Sequence, residues 1–143
     1  MTIVGLKKIG FVEQNEVNDV WVQQELPAQR GENDPVIENI RWFGSIDQSV
    51  STLTEQAVDE ADGMCFECVV SFAVRTQEDM RLARKYTKRP VVLHCDAVDG
   101  RHFAIGTKEY PVRMQWNENY DGTNTHEAQI SVKYRTLTGI LTR

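Results

Sequence analysis

The chain is poor in the residues that mark disulfide-rich, fibrous or membrane-spanning proteins. Its 143 residues include three cysteines, four prolines and nine glycines. An odd number of cysteines without a secretion signal predicts reduced thiols instead of a disulfide framework. No apolar run reaches the ~18 residues that a membrane helix needs, and the apolar residues before Lys7 are too few for a signal peptide. We therefore expect a soluble intracellular protein that folds as a single domain over residues 1–143.

The chain also has fewer basic than acidic residues. Sixteen Lys and Arg residues stand against 21 Asp and Glu residues, which gives a formal net charge of −5 at pH 7. A net negative chain gains nothing from non-specific attraction to nucleic-acid phosphates or anionic lipids. The charge balance therefore argues against a nucleic-acid or membrane partner.

Alternating apolar residues predict a strand-rich fold. Between residues 64 and 74 every second residue is apolar, as in a strand with one buried face. One short helix is predicted at about residues 77–88, with Thr76 as its N-cap and Pro90 beyond its end. Other β-branched and aromatic segments predict a hairpin within residues 3–24 and strands at residues 36–43, 91–98, 102–106, 111–116 and 125–138. The predicted class is α+β and strand-dominated, an antiparallel sheet or sandwich with one short helix.

Residues 49–62 fit two different structures. Val50, Leu53 and Ala57 recur at helical spacing. The Ser and Thr residues among them compete for backbone hydrogen bonds and favour an acidic loop. The sequence leaves helix and loop open here.

The dipeptide Asp99-Gly100 predicts a β-hairpin, because a two-residue type I′ turn needs residues that tolerate positive φ. Such a turn places Ala97 opposite His102 and Asp96 opposite Phe103. Both faces of this hairpin carry apolar residues, so we expect it in the middle of a sheet or under an interface.

Four residues supply the nominal ligands of a zinc site: Cys65, Cys68, His94 and Cys95. On strands, residues that are adjacent or three apart point to opposite faces, so these groups should not converge. The expected protein therefore has no catalytic residue, no bound metal and no cofactor. A small metal- or thiol-dependent enzyme built on the four residues is the alternative, with Cys95 as nucleophile and His94 or the near-diagonal His102 as base.

Two charged clusters each have a structural and a functional interpretation. The acidic cluster comprises Glu55, Asp59, Glu60 and Asp62. It lacks the alternating pattern of a calcium loop, which favours a solvated acidic face. The basic cluster comprises Arg81, Arg84, Lys85, Lys88 and Arg89. It could contact phosphate, although basic residues are also favoured at the C-terminal end of a helix by the helix dipole.

Two further features point to binding. Tryptophans 21, 42 and 116 either complete the core or form a surface on which subunits meet. The segment 25–35 contains Pro, Gly, Asn and Asp at a density that marks a long loop. Such a loop could serve a small ligand-binding module.

Several of these features follow one another in a particular order in the second half of the chain, from about residue 63 to 138. The alternating strand, the short charged helix and the apolar strand Val91-Val92-Leu93 precede the Asp99-Gly100 turn, which leads to Ile105-Gly106 and Tyr110-Pro111-Val112. This order resembles small phage and prophage virion proteins of the tail or head–tail region. The resemblance implies a non-enzymatic structural subunit, in the host cytoplasm or the virion, that assembles with its own copies or with neighbouring virion proteins. It carries over no catalytic residue and does not separate a tail subunit from a connector.

Overall fold

The computed structural model describes residues 2–16, 40–60, 63–107, 110–120, 126–136 and 141–142. Within these ranges one helix of ten residues, α1 (Gln77–Tyr86), joins two series of strands. The strands in chain order are β1 (Thr2–Val4), β2 (Leu6–Glu13), β3 (Arg41–Trp42), β4 (Thr52–Glu60), β5 (Gly63–Val74), β6 (Val91–Ala97), β7 (His102–Ile105), β8 (Gln115–Tyr120), β9 (His126–Thr136) and β10 (Leu141–Thr142).

The strands form two five-stranded antiparallel sheets. The first has the strand order β1-β4-β5-β9-β8, and the second has the order β10-β7-β6-β2-β3. This arrangement confirms the predicted fold class of a strand-dominated α+β protein. β6 lies in the middle of the second sheet, one of the two positions that the two-sided apolar pattern of its hairpin predicts.

The core is built from matching rows of apolar register partners. The row across the first sheet contains Ile3, Leu53, Val70 and Val132. The row across the second sheet contains Phe11, Leu93 and Ile105. All of these side chains are buried in one hydrophobic cluster, to which residues of both sheets contribute. Burial of each such side chain stabilises the fold by roughly 1.5–3 kcal/mol, so the alternating pattern of the strands accounts for the core.

The helix α1 begins where the sequence predicts and ends two residues earlier than predicted. The hydroxyl of Thr76 accepts a hydrogen bond from the amide of Asp79 at 3.2 Å and caps the first turn. Lys88 adopts a positive φ of 63° just before Pro90, and this backbone ends the helix at Tyr86. Among the described residues, no helix is both long and apolar enough to cross a membrane.

Residues 49–60, the described part of the segment 49–62, form neither of the two structures that the sequence left open. A short 3-10 helix, Gln48–Val50, is followed directly by the strand β4. β4 pairs with β1 on one side and with β5 on the other. Pairing along two edges satisfies the backbone of the Ser- and Thr-rich segment, so tertiary contacts override its weak local preference.

Three other segments differ from the predicted outline or fall outside it. β1 and β2 join different sheets, and the predicted partner strand of the N-terminal hairpin, like the loop 25–35, lies outside the described residues. Within the predicted strand 36–43, the described strand is Arg41–Trp42. β8 continues to Tyr120, beyond residue 116, at which the predicted strand ends.

The close approach of β3 to β2, with which it pairs, requires a glycine at position 10. A Cβ atom at this position would lie 2.8 Å from Cε3 of Trp42 and 2.9 Å from both the carbonyl oxygen of Arg41 and Cγ2 of Ile40. The absence of a side chain therefore allows the β3 segment to lie against the sheet.

We expect the substitution Gly10→Ala to lower the free energy of unfolding by about 2 kcal/mol, because the clash includes backbone that cannot rotate away. Chemical denaturation measures this loss. Gly44→Ala is the matched control, because its added Cβ would meet nothing closer than 3.5 Å. Equal stability of the two variants would contradict the requirement for glycine at position 10.

Candidate functional site

The turn between β6 and β7 sets the register of the candidate site. The amide of Ala97 donates to the carbonyl of Arg101 at 2.9 Å, and the amide of Gly100 donates to the carbonyl of Ala97 at 3.1 Å. Gly100 has a φ of +92°. These features define a three-residue loop in which a turn is followed by a left-handed glycine, in place of the predicted two-residue turn. Asp96 therefore lies opposite His102, and the predicted pairing of Asp96 with Phe103 is wrong by one residue.

This register brings two histidines and an aspartate together on the outer face of the second sheet. Nδ1 of His102 lies 2.5 Å from Oδ1 of Asp96. Nε2 of His102 lies 2.9 Å from Nδ1 of His94. The three residues, called the histidine cluster below, form a continuous hydrogen-bonded chain. The chain runs from the partly exposed carboxylate through His102 to His94, which is only 5% exposed.

Burial keeps the inner histidine of the cluster neutral. It lowers the pKa of His94 to about 3, with a further lowering by the charge of His102 and a smaller opposing effect of Asp96. Burial of Asp96 acts to raise the pKa of its carboxyl group, but the hydrogen bond from His102 and the charges of His102, Lys8 and His94 outweigh it and lower the pKa. An ionised Asp96 accepts hydrogen bonds, so Nδ1 of His102 carries a proton. When both rings are neutral, Nδ1–H of His94 then donates to Nε2 of His102.

The surroundings of the cluster are largely apolar. Val12, Val92 and Ala104 lie on the same outer face and are buried. Lys8, the register partner of Asp96, holds its ammonium group 5.0 Å from the ring centre of Trp42. The outer face of the second sheet thus carries a partly buried polar chain beside apolar side chains, and the low local dielectric strengthens the hydrogen bond at its buried end, His94.

Among the described residues, the histidine cluster is a hydrogen-bonded chain without an activated nucleophile beside it. An Asp–His pair activates a Ser or Cys that lies within reach of the free ring nitrogen. Here Nε2 of His102 is occupied by His94. Cys95, the nucleophile of the thiol-enzyme alternative, pairs with Phe103 and points into the core on the other face of the sheet. The predicted near-diagonal arrangement of Cys95 and His102 on one face is therefore wrong.

The nominal zinc ligands are divided among different faces. Cys68 and Cys95 point into the core from the two sheets, whereas His94 faces outward and Cys65 is half-buried on β5. Burial, with a smaller contribution from Glu55, raises the pKa of the Cys68 thiol to about 12. Burial likewise raises the pKa of Cys95 well above its ordinary value, with smaller contributions from Cys68 and Asp96. In the part of the chain that the structure describes, no three His, Cys, Asp or Glu side chains gather as metal ligands.

The acidic cluster is spread along a strand. Glu55 is half-buried and Asp59 is exposed on β4, and Asp62 lies outside the described residues.

The tryptophans that suggested an interface are partly buried within the chain. Trp116 packs against the hydrophobic core, and Trp42 covers Gly10, while Trp21 is outside the described residues. Of the two interpretations that the sequence left open, Trp116 fits the one in which the tryptophans complete the core.

Exposed apolar surface is found instead where the chain passes from the first sheet to the second. The amide of Gly5 donates to the carbonyl of Ser51 at 2.9 Å, and the amide of Leu6 donates to the Ser51 hydroxyl at 2.7 Å. Leu6 is also the register partner of Ala97. The chain neighbours of this junction are Val4, Val50 and Val98, which are 65%, 50% and 56% exposed. These three side chains are called the valine end below.

In its described residues, the chain has the structure of an antiparallel α+β protein with two sheets and one short α-helix. No protein-family model matches the chain, and no match was found among the curated proteins or the solved structures.

Proposed function

We propose that this protein is a non-enzymatic assembly subunit that associates with copies of itself through the valine end. The observation that supports the proposal is the grouping of exposed valines. Scattered exposed apolar residues are common on soluble proteins, whereas these three adjoin residues that meet at one junction, and we infer that they form one patch of the kind used in protein contacts. Three of the four large apolar side chains that are exposed in the described residues belong to it.

The position of the valine end in the fold favours association. Val4 lies on β1, which is at the edge of the first sheet and pairs with β4 along one side. An edge strand can accept a further strand from another chain, and exposed β-branched side chains beside it add apolar burial to that contact. Both features act at the same end of the molecule.

The chemistry of the described interior argues against the enzymatic alternative. The pKa values of Cys68 and Cys95 are raised, so neither thiol is a nucleophile near neutral pH. The base that a thiol enzyme requires lies on the opposite face of the sheet from Cys95. The proposed role in a phage or prophage tail, with neighbouring virion proteins as further partners, follows from the resemblance of the second half of the chain to such proteins.

We expect the wild-type protein to form an oligomer at micromolar concentration, and the triple variant Val4→Ser/Val50→Ser/Val98→Ser to associate at least tenfold more weakly. Each buried valine contributes on the order of 1 kcal/mol to such a contact, and 1.4 kcal/mol corresponds to a tenfold change in affinity. Sedimentation equilibrium measures the change, and circular dichroism verifies that the variant is folded.

Tyr110→Ser is the matched control for this experiment. Tyr110 is the fourth exposed large apolar residue and follows the end of β7 that is remote from Val98. Its substitution should leave the association constant unchanged. A wild-type protein that stays monomeric, or a triple variant that associates as strongly as wild type, would rule out the valine end as the contact.

A further inference from the structure

Three cations from different parts of the chain surround one buried ring. Cζ of Arg41 lies 5.2 Å from the ring centre of Tyr86, Cζ of Arg89 lies 5.4 Å from it, and Nζ of Lys85 lies 5.4 Å from it. Tyr86 is 4% exposed, and its ring packs on Phe11 with 4.9 Å between ring centres. The three cationic groups therefore all lie within 5.4 Å of the centre of one buried ring. Arg41, Lys85 and Arg89 are called the cation cluster below.

The helix dipole does not explain this convergence. Lys85 lies in the last turn of α1 and Arg89 just beyond it, where positive charge is favoured. Arg41 belongs to β3 in the second sheet, so the dipole of α1 does not account for its position. The end of the helix supplies two of the cations, Lys85 and Arg89, and the packing of β3 against it supplies the third.

The carboxylates near the cation cluster do not balance it. Oε1 of Glu16 lies 3.4 Å from Arg41, and Oε1 of Glu13 lies 3.7 Å from Arg89. Both are long contacts to a single guanidinium nitrogen, in contrast to the paired short bonds of a strong Arg–carboxylate contact. Within the described ranges, no salt bridge joins Lys85 to a carboxylate. Among the residues that the structure describes, three positive charges therefore face two negative ones.

The Arg41 side chain also has an unused donor. Its Nε atom is buried and has no hydrogen-bond partner. A buried donor without an acceptor is unfavourable, so the contact of Arg41 with Tyr86 holds the guanidinium in an orientation that its hydrogen bonds alone do not favour. An added oxyanion with several acceptor atoms would offset the excess of positive charge at the guanidinium and ammonium groups.

We propose that the cation cluster is a binding site for the phosphate group of a small phosphate monoester. A doubly charged group with three free oxygens matches two planar guanidinium forks and one ammonium group better than a singly charged carboxylate does. The site lies away from the valine end and does not depend on self-association.

The test is a titration of the protein with inorganic phosphate and, separately, with glycerol phosphate. The arginine Nε–H signals in proton–nitrogen NMR spectra report binding. We expect saturable shifts of the Arg41 and Arg89 signals with both probes. Sodium chloride at equal ionic strength and sodium acetate should give no saturation. Saturation by phosphate but not by glycerol phosphate would exclude a monoester ligand, and identical responses to acetate and phosphate would overturn the proposal altogether.

Variants separate a built site from general charge attraction. Lys85→Gln and Arg89→Gln should each weaken phosphate binding about tenfold, because each removes one charge-assisted contact of roughly 1.4 kcal/mol. Lys7→Gln, which removes an exposed lysine on β2, is the matched control and should leave the affinity unchanged. Equal weakening in all three variants would show non-specific attraction and contradict the site.

Discussion

Lowering the pH from 7 to 5 is expected to reduce the free energy of unfolding by roughly 2 kcal/mol through His94 alone. Burial lowers the pKa of this histidine from 6.5 to about 3 in the folded protein. Between these values the unfolded chain takes up a proton at His94 and the folded chain does not. The stabilisation is therefore complete above pH 6.5 and is lost progressively as the pH falls toward 3. Denaturant unfolding at a series of pH values measures it.

The lowered pKa of Asp96 also reduces the free energy of unfolding as the pH falls, but in a lower pH range than His94 does. A carboxylate whose folded pKa is depressed contributes stability above its ordinary pKa of 3.8 and loses it as the pH falls through the folded value. The two groups together predict an acid-labile outer face of the second sheet. Nitrogen NMR of the imidazole rings should also find the His94 ring neutral at pH 5.

The variant His94→Gln identifies the group responsible. Glutamine keeps a donor and an acceptor for His102 but does not titrate, so the stability of the variant should vary much less between pH 6.5 and 4. His126→Gln is the matched control, because the backbone of His126 lies on β9 in the other sheet. If His94→Gln shows the same pH dependence as wild type, His94 is not the titrating group.

The substitution Asp79→Ala is expected to lower the free energy of unfolding by about 3 kcal/mol. Oδ1 of Asp79 accepts a hydrogen bond from the amide of Gly44 at 2.7 Å, and Oδ2 accepts one from the amide of Ser45 at 2.8 Å. The Asp79 side chain is itself 4% exposed, and its removal takes away two short charge-assisted hydrogen bonds that hold the segment after β3. Thermal or chemical unfolding gives the change in free energy.

Two further variants make the Asp79 prediction specific. Glu78→Ala removes an exposed acidic residue from the same helical turn and should cost no more than the helix-dipole contribution of about 0.5 kcal/mol. Asp79→Asn keeps one acceptor oxygen and should be intermediate between Asp79→Ala and wild type. A loss in Asp79→Ala no greater than in Glu78→Ala would show that the two hydrogen bonds do not hold the segment after β3.

Much of the fold could be predicted because it depends on local pattern. The alternation along β5 predicts its buried residues Cys68, Val70, Phe72 and Val74. Thr76 predicts the start of α1 through a hydrogen bond that spans three residues. β4 could not be predicted in this way, because its backbone is satisfied by partners that lie far along the chain in β1 and β5.

The candidate site depended on a feature that local pattern determines poorly. The Asp99-Gly100 dipeptide predicts a hairpin, but it fits both a two-residue and a three-residue loop. The difference is one residue of register, and the side-chain period of a strand is two. That single step separates His102 from Cys95 and places it opposite Asp96, where it also reaches His94.

The sequence by itself determined the strand-dominated class, the inner faces of the main strands and the position of the helix, since each of these follows from the spacing of residues close together in the chain. Only the tertiary structure decided which distant residues meet. The histidine cluster depends on a loop length, the valine end on the junction of two sheets, and the cation cluster on the approach of β3 to α1. The physical reason is that charges and hydrogen-bonding groups act over a few ångströms in space, whereas a sequence pattern records distances along the chain.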